Sequence, residues 1–103
     1  MILSIIIPTY NEERTVIEIL KKIKNNPPDL CKYEVIVIDD GSTDQSRKLL
    51  ENNKHLFDKL LVNEANKGKG FSVKKGMLNA SGTHIIFQDA DIEYDPEDFK
   101  KFV

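Results

Sequence analysis

Three observations predict an α/β fold, a Rossmann-like three-layer sandwich on a mainly parallel four-stranded sheet. Short apolar runs rich in β-branched residues recur along the chain, segments with helical apolar spacing separate them, and polar, acidic or glycine-bearing residues follow each run. Unbroken apolar runs suit strands buried on both faces, and the intervening helices supply the crossovers that parallel neighbours need.

Ile5-Ile6-Ile7 is the first strand, expected to end at Pro8, which has no backbone donor. Asn11 is placed to cap the next helix, with Glu12 and Glu13 near its positive end. Val16, Ile17, Leu20 and Ile23 recur at helical spacing until Pro27-Pro28 stops the helix. Tyr33 to Ile38 is the second strand, broken by Asp39-Asp40-Gly41. Ser42 with Gln45 fits a capping box for a helix from Thr43 to about Asn53. Leu60-Leu61-Val62 is a short third strand, and a helix from Phe71 to Asn79 carries Phe71, Val73, Met77 and Leu78, with Gly82 just beyond it. Thr83 to Phe87 is the fourth strand, and Asp95-Pro96-Glu97-Asp98 starts a further helix.

One hundred and three residues, 40% hydrophobic and 31% charged, describe one small globular domain. A net charge of -2 gives no general attraction to nucleic acid. The single Cys31 allows no internal disulfide and no Cys/His cluster offers a zinc site, so a reducing, cytoplasmic setting is expected. Met1 to Ile7 is apolar but lacks a preceding basic region and falls far short of the roughly 20 residues that span a bilayer, so it is expected to be a strand and not a signal peptide. Asn79-Ala80-Ser81 matches the glycosylation acceptor pattern with no secretory signal beside it. His55 and His84 fit structural or exposed positions.

In open parallel sheets, ligands bind outside the carboxyl ends of the strands. Those ends here carry Pro8-Thr9-Tyr10-Asn11-Glu12, Asp39-Asp40-Gly41-Ser42, Asn66-Lys67-Gly68-Lys69-Gly70 and Gln88-Asp89-Ala90-Asp91-Ile92-Glu93. Carboxylates two apart just past a strand, as Asp89, Asp91 and Glu93 are, can reach one hard cation. Mg²⁺ or Mn²⁺ accepts one or two of them plus the oxygens of a diphosphate. A solvated acidic turn fits that spacing equally well. Asp39 fits an acceptor for a base edge or ribose hydroxyl, while a plain turn and helix cap would also account for Asp39-Asp40-Gly41-Ser42. The Lys67-to-Gly70 run is not a Walker motif, and Val73 stands where a dinucleotide fingerprint has its third glycine. Its glycines and a helix amino end can still receive an anion, with Lys67 or Lys69 as counter-charge. Tyr10 fits either the core or a stack against a base.

Taken together and in order, these four motifs resemble the amino-terminal half of a family 2 glycosyltransferase of the GT-A type, most like the branch that makes polyprenyl-phosphate sugars such as dolichol-phosphate mannose or glucose. The resemblance covers nearly the whole chain and implies that residues 1–103 are the nucleotide-sugar-binding part of a domain that continues beyond them. It implies a nucleotide site of Pro8, Thr9, Tyr10, Glu12, Asp39, Lys69, Asp89 and Ala90, with Asp39 at the base and Asp40 near the donor sugar. Asp89 and Asp91 match the family's Asp-x-Asp motif, and Glu93 falls where a glutamine ligand often stands, so Asp91, Asp89 and Glu93 would hold Mg²⁺ or Mn²⁺.

The implied reaction is metal-dependent, inverting transfer from a UDP- or GDP-sugar, with a polyprenyl phosphate at the cytoplasmic face of a membrane as the favoured acceptor. Cell-wall biogenesis is the implied setting. A saccharide acceptor in cell-surface polysaccharide synthesis, and a nucleotide-sugar-binding domain without transfer, are the alternatives. No general base is identified, and the fragment alone is expected to bind nucleotide weakly and turn over little. Nucleotidyl transfer fits less well because its glycine loop follows the first strand, where Pro8-Thr9-Tyr10 stands. A receiver domain fits less well because Asp39-Asp40 follow the second strand and no lysine ends a later one.

Overall fold

The computed structural model describes residues 2–28 and 32–89. Four parallel strands, β1 (Ile2–Thr9), β2 (Lys32–Asp40), β3 (Lys59–Asn63) and β4 (His84–Phe87), form one sheet in the order β3-β2-β1-β4. Helices α1 (Val16–Asn25), α2 (Ser46–Glu51) and α3 (Lys69–Leu78) connect them, with a short 3-10 turn at Lys54–Leu56. The expected α/β sandwich is therefore present, and its sheet is parallel throughout.

Alternation along the strands divides the core between the two faces. Leu3, Ile5, Ile7, Val35 and Val37 meet Val16, Ile19, Leu20 and Ile23 of α1, together with Leu50 and Leu56. Ile6, Ile36 and Ile38 point to the other face. Each fully buried side chain of this size contributes about 1.5–3 kcal/mol of transfer free energy. Helix α1 earns its place through the apolar stripe read from sequence.

Helix α3 packs differently. Its buried residues are Ser72 and Gly76, whereas Phe71, Met77 and Leu78 are exposed. A Cβ on Gly76 would lie 2.7 Å from Ile6 Cγ2 and 2.8 Å from Ile38 Cδ1, so the helix backbone rests almost directly on the sheet. Small residues at the contact, rather than large ones, set this close approach.

Several expected boundaries shift for reasons of partnership. β1 runs through Pro8 to Thr9, with Pro8 opposite Ile38. Ile2 and Ile6 carbonyls accept from the β4 side, so even-numbered residues of β1 point there, and Pro8 follows the last rung of the described β4. Its missing N–H therefore breaks no bond to β2. Asn11 does not cap α1, which begins after Thr15, and the Ser42–Gln45 capping box does not form because α2 starts only at Ser46. The third helix begins at Lys69, two residues before Phe71. The helix expected from Asp95 lies outside the described residues.

Gly76→Val is expected to lower unfolding stability by about 1–3 kcal/mol, the usual effect of overpacking a close contact. A urea midpoint unchanged from wild type would show that α3 can lift from the sheet without loss.

Candidate functional site

The strand order reverses at β1: the chain moves outward to β2 and β3, then returns to place β4 on the other side. Such a switch point leaves a crevice at the carboxyl ends of the two central strands. A cavity of about 600 Å³ opens there, lined by Pro8, Thr9, Tyr10 and Glu12 from the end of β1, and by Asp40, Lys69 and Asp89 around it. Asn66, Gly68 and Ser72 complete its wall. A second cavity of about 260 Å³ lies by Tyr33, His55 and Asp58 and contains none of the expected site residues.

The two adjacent aspartates have separate surroundings because successive residues of a strand point to opposite faces. Asp40 lies on the α3 side, 3% exposed. Its Oδ1 accepts from the Lys67 N–H at 2.7 Å and the Asn63 amide at 2.9 Å, and its Oδ2 accepts from the Gly68 N–H at 3.0 Å. Burial pushes the Asp40 carboxyl upward, but these donors, with Ser72, outweigh it and hold the carboxyl below its ordinary value. Asp40 thus fixes the loop that leads into α3. Asn63 extends the same network, donating to Ser72 Oγ at 3.0 Å and accepting from Lys75 Nζ at 2.9 Å.

Asp39 is 1% exposed and faces the other way. Its Oδ1 accepts a long 3.4 Å contact from the Ser42 N–H, and its Oδ2 has no partner among the described residues. An orphaned, buried carboxylate oxygen at a strand end is costly unless a ligand donor meets it.

The first loop is tied to the loop after β2. Asn11 adopts a left-handed φ of 52°, a conformation asparagine tolerates better than most residues. Its Oδ1 accepts from the N–H groups of Thr43 at 2.8 Å and Asp44 at 3.3 Å, while the Asn11 N–H donates to Ser42 Oγ at 3.0 Å. The Glu12 N–H donates to Ser46 Oγ at 2.8 Å and the Glu13 N–H to Asp44 Oδ2 at 3.2 Å. Burial raises the Asp44 carboxyl and its hydrogen bonds, led by Ser46, more than reverse this. Gly41, at φ 68°, lets this loop pass against the next, since a Cβ there would lie 2.5 Å from Asn66 N.

Gly68, at φ 97°, turns the third loop into α3. The helix amino end therefore opens on the cavity, where its N–H groups and dipole favour an anion. From its first residue, Lys69, an ammonium group reaches across to form an ion pair with the Asp89 carboxylate. Buried Gln88 anchors the far wall, donating from its backbone to the Ile6 carbonyl at 3.0 Å and from its side chain to the Asp89 carbonyl at 3.1 Å.

Of the residues expected at the site, Pro8, Thr9, Tyr10, Glu12, Asp40, Lys69 and Asp89 line one cavity. Asp39 is buried at the end of β2 and is not among the lining residues. Ala90, Asp91 and Glu93 lie outside the described residues. Asn63 and Ser46 hold the site together without having been singled out in the sequence. Asn63 at a strand end and Ser46 among polar neighbours carry no local signal of their distant partners.

Residues 4–103 match the family model described as Glycosyl transferase family 2. The chain belongs to this family. An undecaprenyl-phosphate 4-deoxy-4-formamido-L-arabinose transferase of Proteus mirabilis (strain HI4320) is 34% identical over 97% of the chain and 32% of its own length. Among solved structures, S. aureus TarS 1-349 in complex with UDP-GlcNAc has a TM-score of 0.83 at 30% identity, covering 99% of this chain and 30% of the other. The mannosyltransferase PcManGT from Pyrobaculum calidifontis, in complex with GDP-Man and Mn²⁺, has a TM-score of 0.76 at 29% identity, covering 93% and 29%. The chain thus spans about a third of the length of its curated relatives.

Asp40→Asn removes a charged acceptor from two N–H groups and sets an amide against one of them, so stability is expected to fall by about 1.5–3 kcal/mol. Both Asp40 and Asp44 have carboxyls held below their unfolded values, so their contribution is complete above the unfolded pKa and is lost as pH falls toward the folded one. Stability should therefore be level above about pH 5 and decline below about pH 4. Denaturant unfolding across that range should decline less steeply for Asp40→Asn than for wild type; parallel curves would remove Asp40 as a source of the acid sensitivity.

Proposed function

We propose that the cavity holds the nucleoside diphosphate of a nucleotide sugar, and that the chain is the donor-binding part of a longer glycosyltransferase domain. The observation that carries this reading is the arrangement at the switch point: an anion-receiving helix end with Lys69 facing Asp89 across the cavity, and beside the cavity, at the end of β2, an Asp39 carboxylate oxygen with no partner among the described residues. A nucleotide sugar complements all three. Its base supplies N–H donors for Asp39 and a flat face for Tyr10, and its diphosphate supplies anionic oxygens for the α3 end and Lys69. Bound UDP-GlcNAc and GDP-Man in the similar structures support the class of ligand.

Asp40, expected near the donor sugar, acts in this reading through the loop it holds, which sets where Lys69 and the helix end stand. Asp89 already accepts one cation, the Lys69 ammonium, so its carboxylate suits Mg²⁺ or Mn²⁺, together with Asp91 and Glu93. When bound, that metal would stabilise the charge developing on the departing diphosphate. The Mn²⁺ complex of PcManGT supports this assignment.

The relative named for undecaprenyl phosphate supports a polyprenyl phosphate as acceptor. Its phosphate oxygen, already anionic, would bond to the anomeric carbon from the face opposite the nucleotide, as the bond to the diphosphate oxygen breaks with its electron pair. The carbon is inverted and no general base is needed. No helix among the described residues is long and apolar enough to cross a membrane, so a lipid acceptor would be met at the cytoplasmic surface or through segments outside this chain. Residues 1–103 alone would bind nucleotide weakly and transfer no sugar.

The full-length protein, supplied with labelled UDP- or GDP-sugars and vesicles containing undecaprenyl phosphate, is expected to move label into lipid and to stop on addition of a chelator. Label recovered only in water-soluble saccharide would replace the lipid acceptor. Asp39→Asn is expected to weaken nucleotide binding about tenfold or more in calorimetry, the worth of a charged hydrogen bond. Unchanged affinity would remove Asp39 from the base pocket.

A further inference from the structure

Strand β2 presents a carboxylate to the α3 side of the sheet near both of its ends. Alternation sends Glu34, Ile36, Ile38 and Asp40 to one face, where Ile36 and Ile38 form the core. Asp40 grips the loop before α3, and Glu34, about 20 Å back along the strand, grips the turn after it. The Glu34 Oε2 accepts from Ser4 Oγ at 2.6 Å and from the Ser81 N–H, while its Oε1 lies 3.5 Å from Lys59 Nζ. Lys59 in turn donates to the Asn79 carbonyl at 2.7 Å and to Ser81 Oγ at 3.2 Å. Burial pushes the Glu34 carboxyl upward, but Ser4, Ser81 and Lys59 outweigh it and hold the carboxyl below its ordinary value.

The segment held in this way is the connection between α3 and β4. Ser4, fully buried, passes the grip on by accepting from the Gly82 N–H at 2.9 Å, and the Thr83 N–H then donates to the Ile2 carbonyl at 2.9 Å. Gly82 is pressed against β1, since a Cβ there would lie 2.7 Å from the Ile2 carbonyl oxygen. From this base α3 and β4 both extend to the carboxyl edge of the sheet, where Lys69 begins the one and Asp89 follows the other on the cavity lining. They are two arms from one anchor. Neither Glu34 nor Ser4, Lys59, Ser81 or Gly82 lines the cavity itself.

We propose that Glu34 is a positioning residue for that cavity: by tying the α3–β4 connection to β1, β2 and β3 at the amino edge of the sheet, it sets how far apart the Lys69 and Asp89 walls stand at the carboxyl edge. What the cavity holds is taken from the donor-site reading, on which this inference rests. The ten residues of α3 span about 15 Å, and a helix moves as a stiff body, so a tilt at its base displaces its far end. Asp40 fixes one point of the helix, and a direction needs a second. A ligand that meets both walls at once is sensitive to their separation, because a misplacement of about 1 Å already weakens such contacts. Removing the Glu34 carboxylate takes the acceptor from the Ser81 N–H and the anion from Lys59, and so frees the anchor without touching the site.

The test uses the full-length protein and its Glu34→Ala, Glu34→Gln and Ile23→Val variants. Ile23→Val weakens the core near the same edge of the sheet but on the α1 face, and so controls for lost stability alone. Amide hydrogen exchange, followed by mass spectrometry without ligand, reads the walls, and calorimetry with UDP and GDP reads the site. In Glu34→Ala, exchange is expected to quicken about threefold or more in residues 79–83 and also in the far segments 66–72 and 86–89, with Ile23→Val close to wild type there. Nucleotide affinity should fall about three- to tenfold in Glu34→Ala, the range for a residue that acts on a site it does not touch, and stay within about twofold in Ile23→Val. Glu34→Gln keeps an acceptor for Ser4 and Ser81 and should show a smaller part of each effect; it carries the same comparison if Glu34→Ala does not fold. Faster exchange confined to residues 79–83, changes equal to those of Ile23→Val, or an unaltered affinity for a nucleotide that wild type binds would reduce Glu34 to a local staple and overturn the proposal. A wild-type protein that binds neither nucleotide would instead overturn the donor-site reading, and the exchange pattern would still decide the role of Glu34.

Discussion

The grip of the Asp40 carboxylate on the Lys67 and Gly68 N–H groups is the contact on which the rest of the cavity depends. It joins the end of β2 to the loop that enters α3, and Asn63 ties the end of β3 into the same network. Without it, the helix end would have no fixed bearing on the sheet. With it, the direction of the α3 amino end, the placement of Lys69 and the reach to Asp89 all follow. The anionic carboxylate and the donors around it stabilise each other, since hydrogen bonds to a charged acceptor are stronger than those between neutral groups.

A second constraint works from the opposite side of α3. Because Ser72 and Gly76 make the contact, the helix lies close over Ile6 and Ile38, and its amino end sits low over the strand termini. Bulkier residues would raise the helix and widen the cavity. The carboxylate grip and the small contact face therefore act in concert, one setting direction and the other setting depth.

Most of the architecture was legible because burial writes itself in apolar runs. The Ile5-Ile6-Ile7 and Val35-to-Ile38 runs could only be buried strands, and the spacing of Val16, Leu20 and Ile23 could only be a helix face. What the sequence hid were bonds between distant segments. Asn11 and Ser42 each look like the cap of the helix that follows, since a local reading offers them no other partner. In the fold they meet each other's loops, with the Asn11 N–H on Ser42 Oγ. Likewise, Asp39 and Asp40 are indistinguishable as neighbours in a string. Only strand alternation and register send one to Asn63 and leave the other with an oxygen that has no partner among the described residues. Helix α3 misled in a different way, since its large apolar residues suggested a buried face and its smallest residues supply one.

The place of β4 gives the site unequal ends. Thr9 and Asp39 come together within the first β-α-β unit, in a ladder of eight paired positions, and β2 is flanked on both sides by other strands. Asp89 arrives behind an edge strand of four residues, paired on one side only among the described residues and joined to β1 across a gap in sequence of 81 residues. Longer closure is entropically costlier. Closing the cavity on its Asp89 side therefore costs more chain entropy than closing it on its Asp39 side. One end of the cavity is thus set by a long local ladder and the other by a distant closure, with the division running between Asp39 and Asp89.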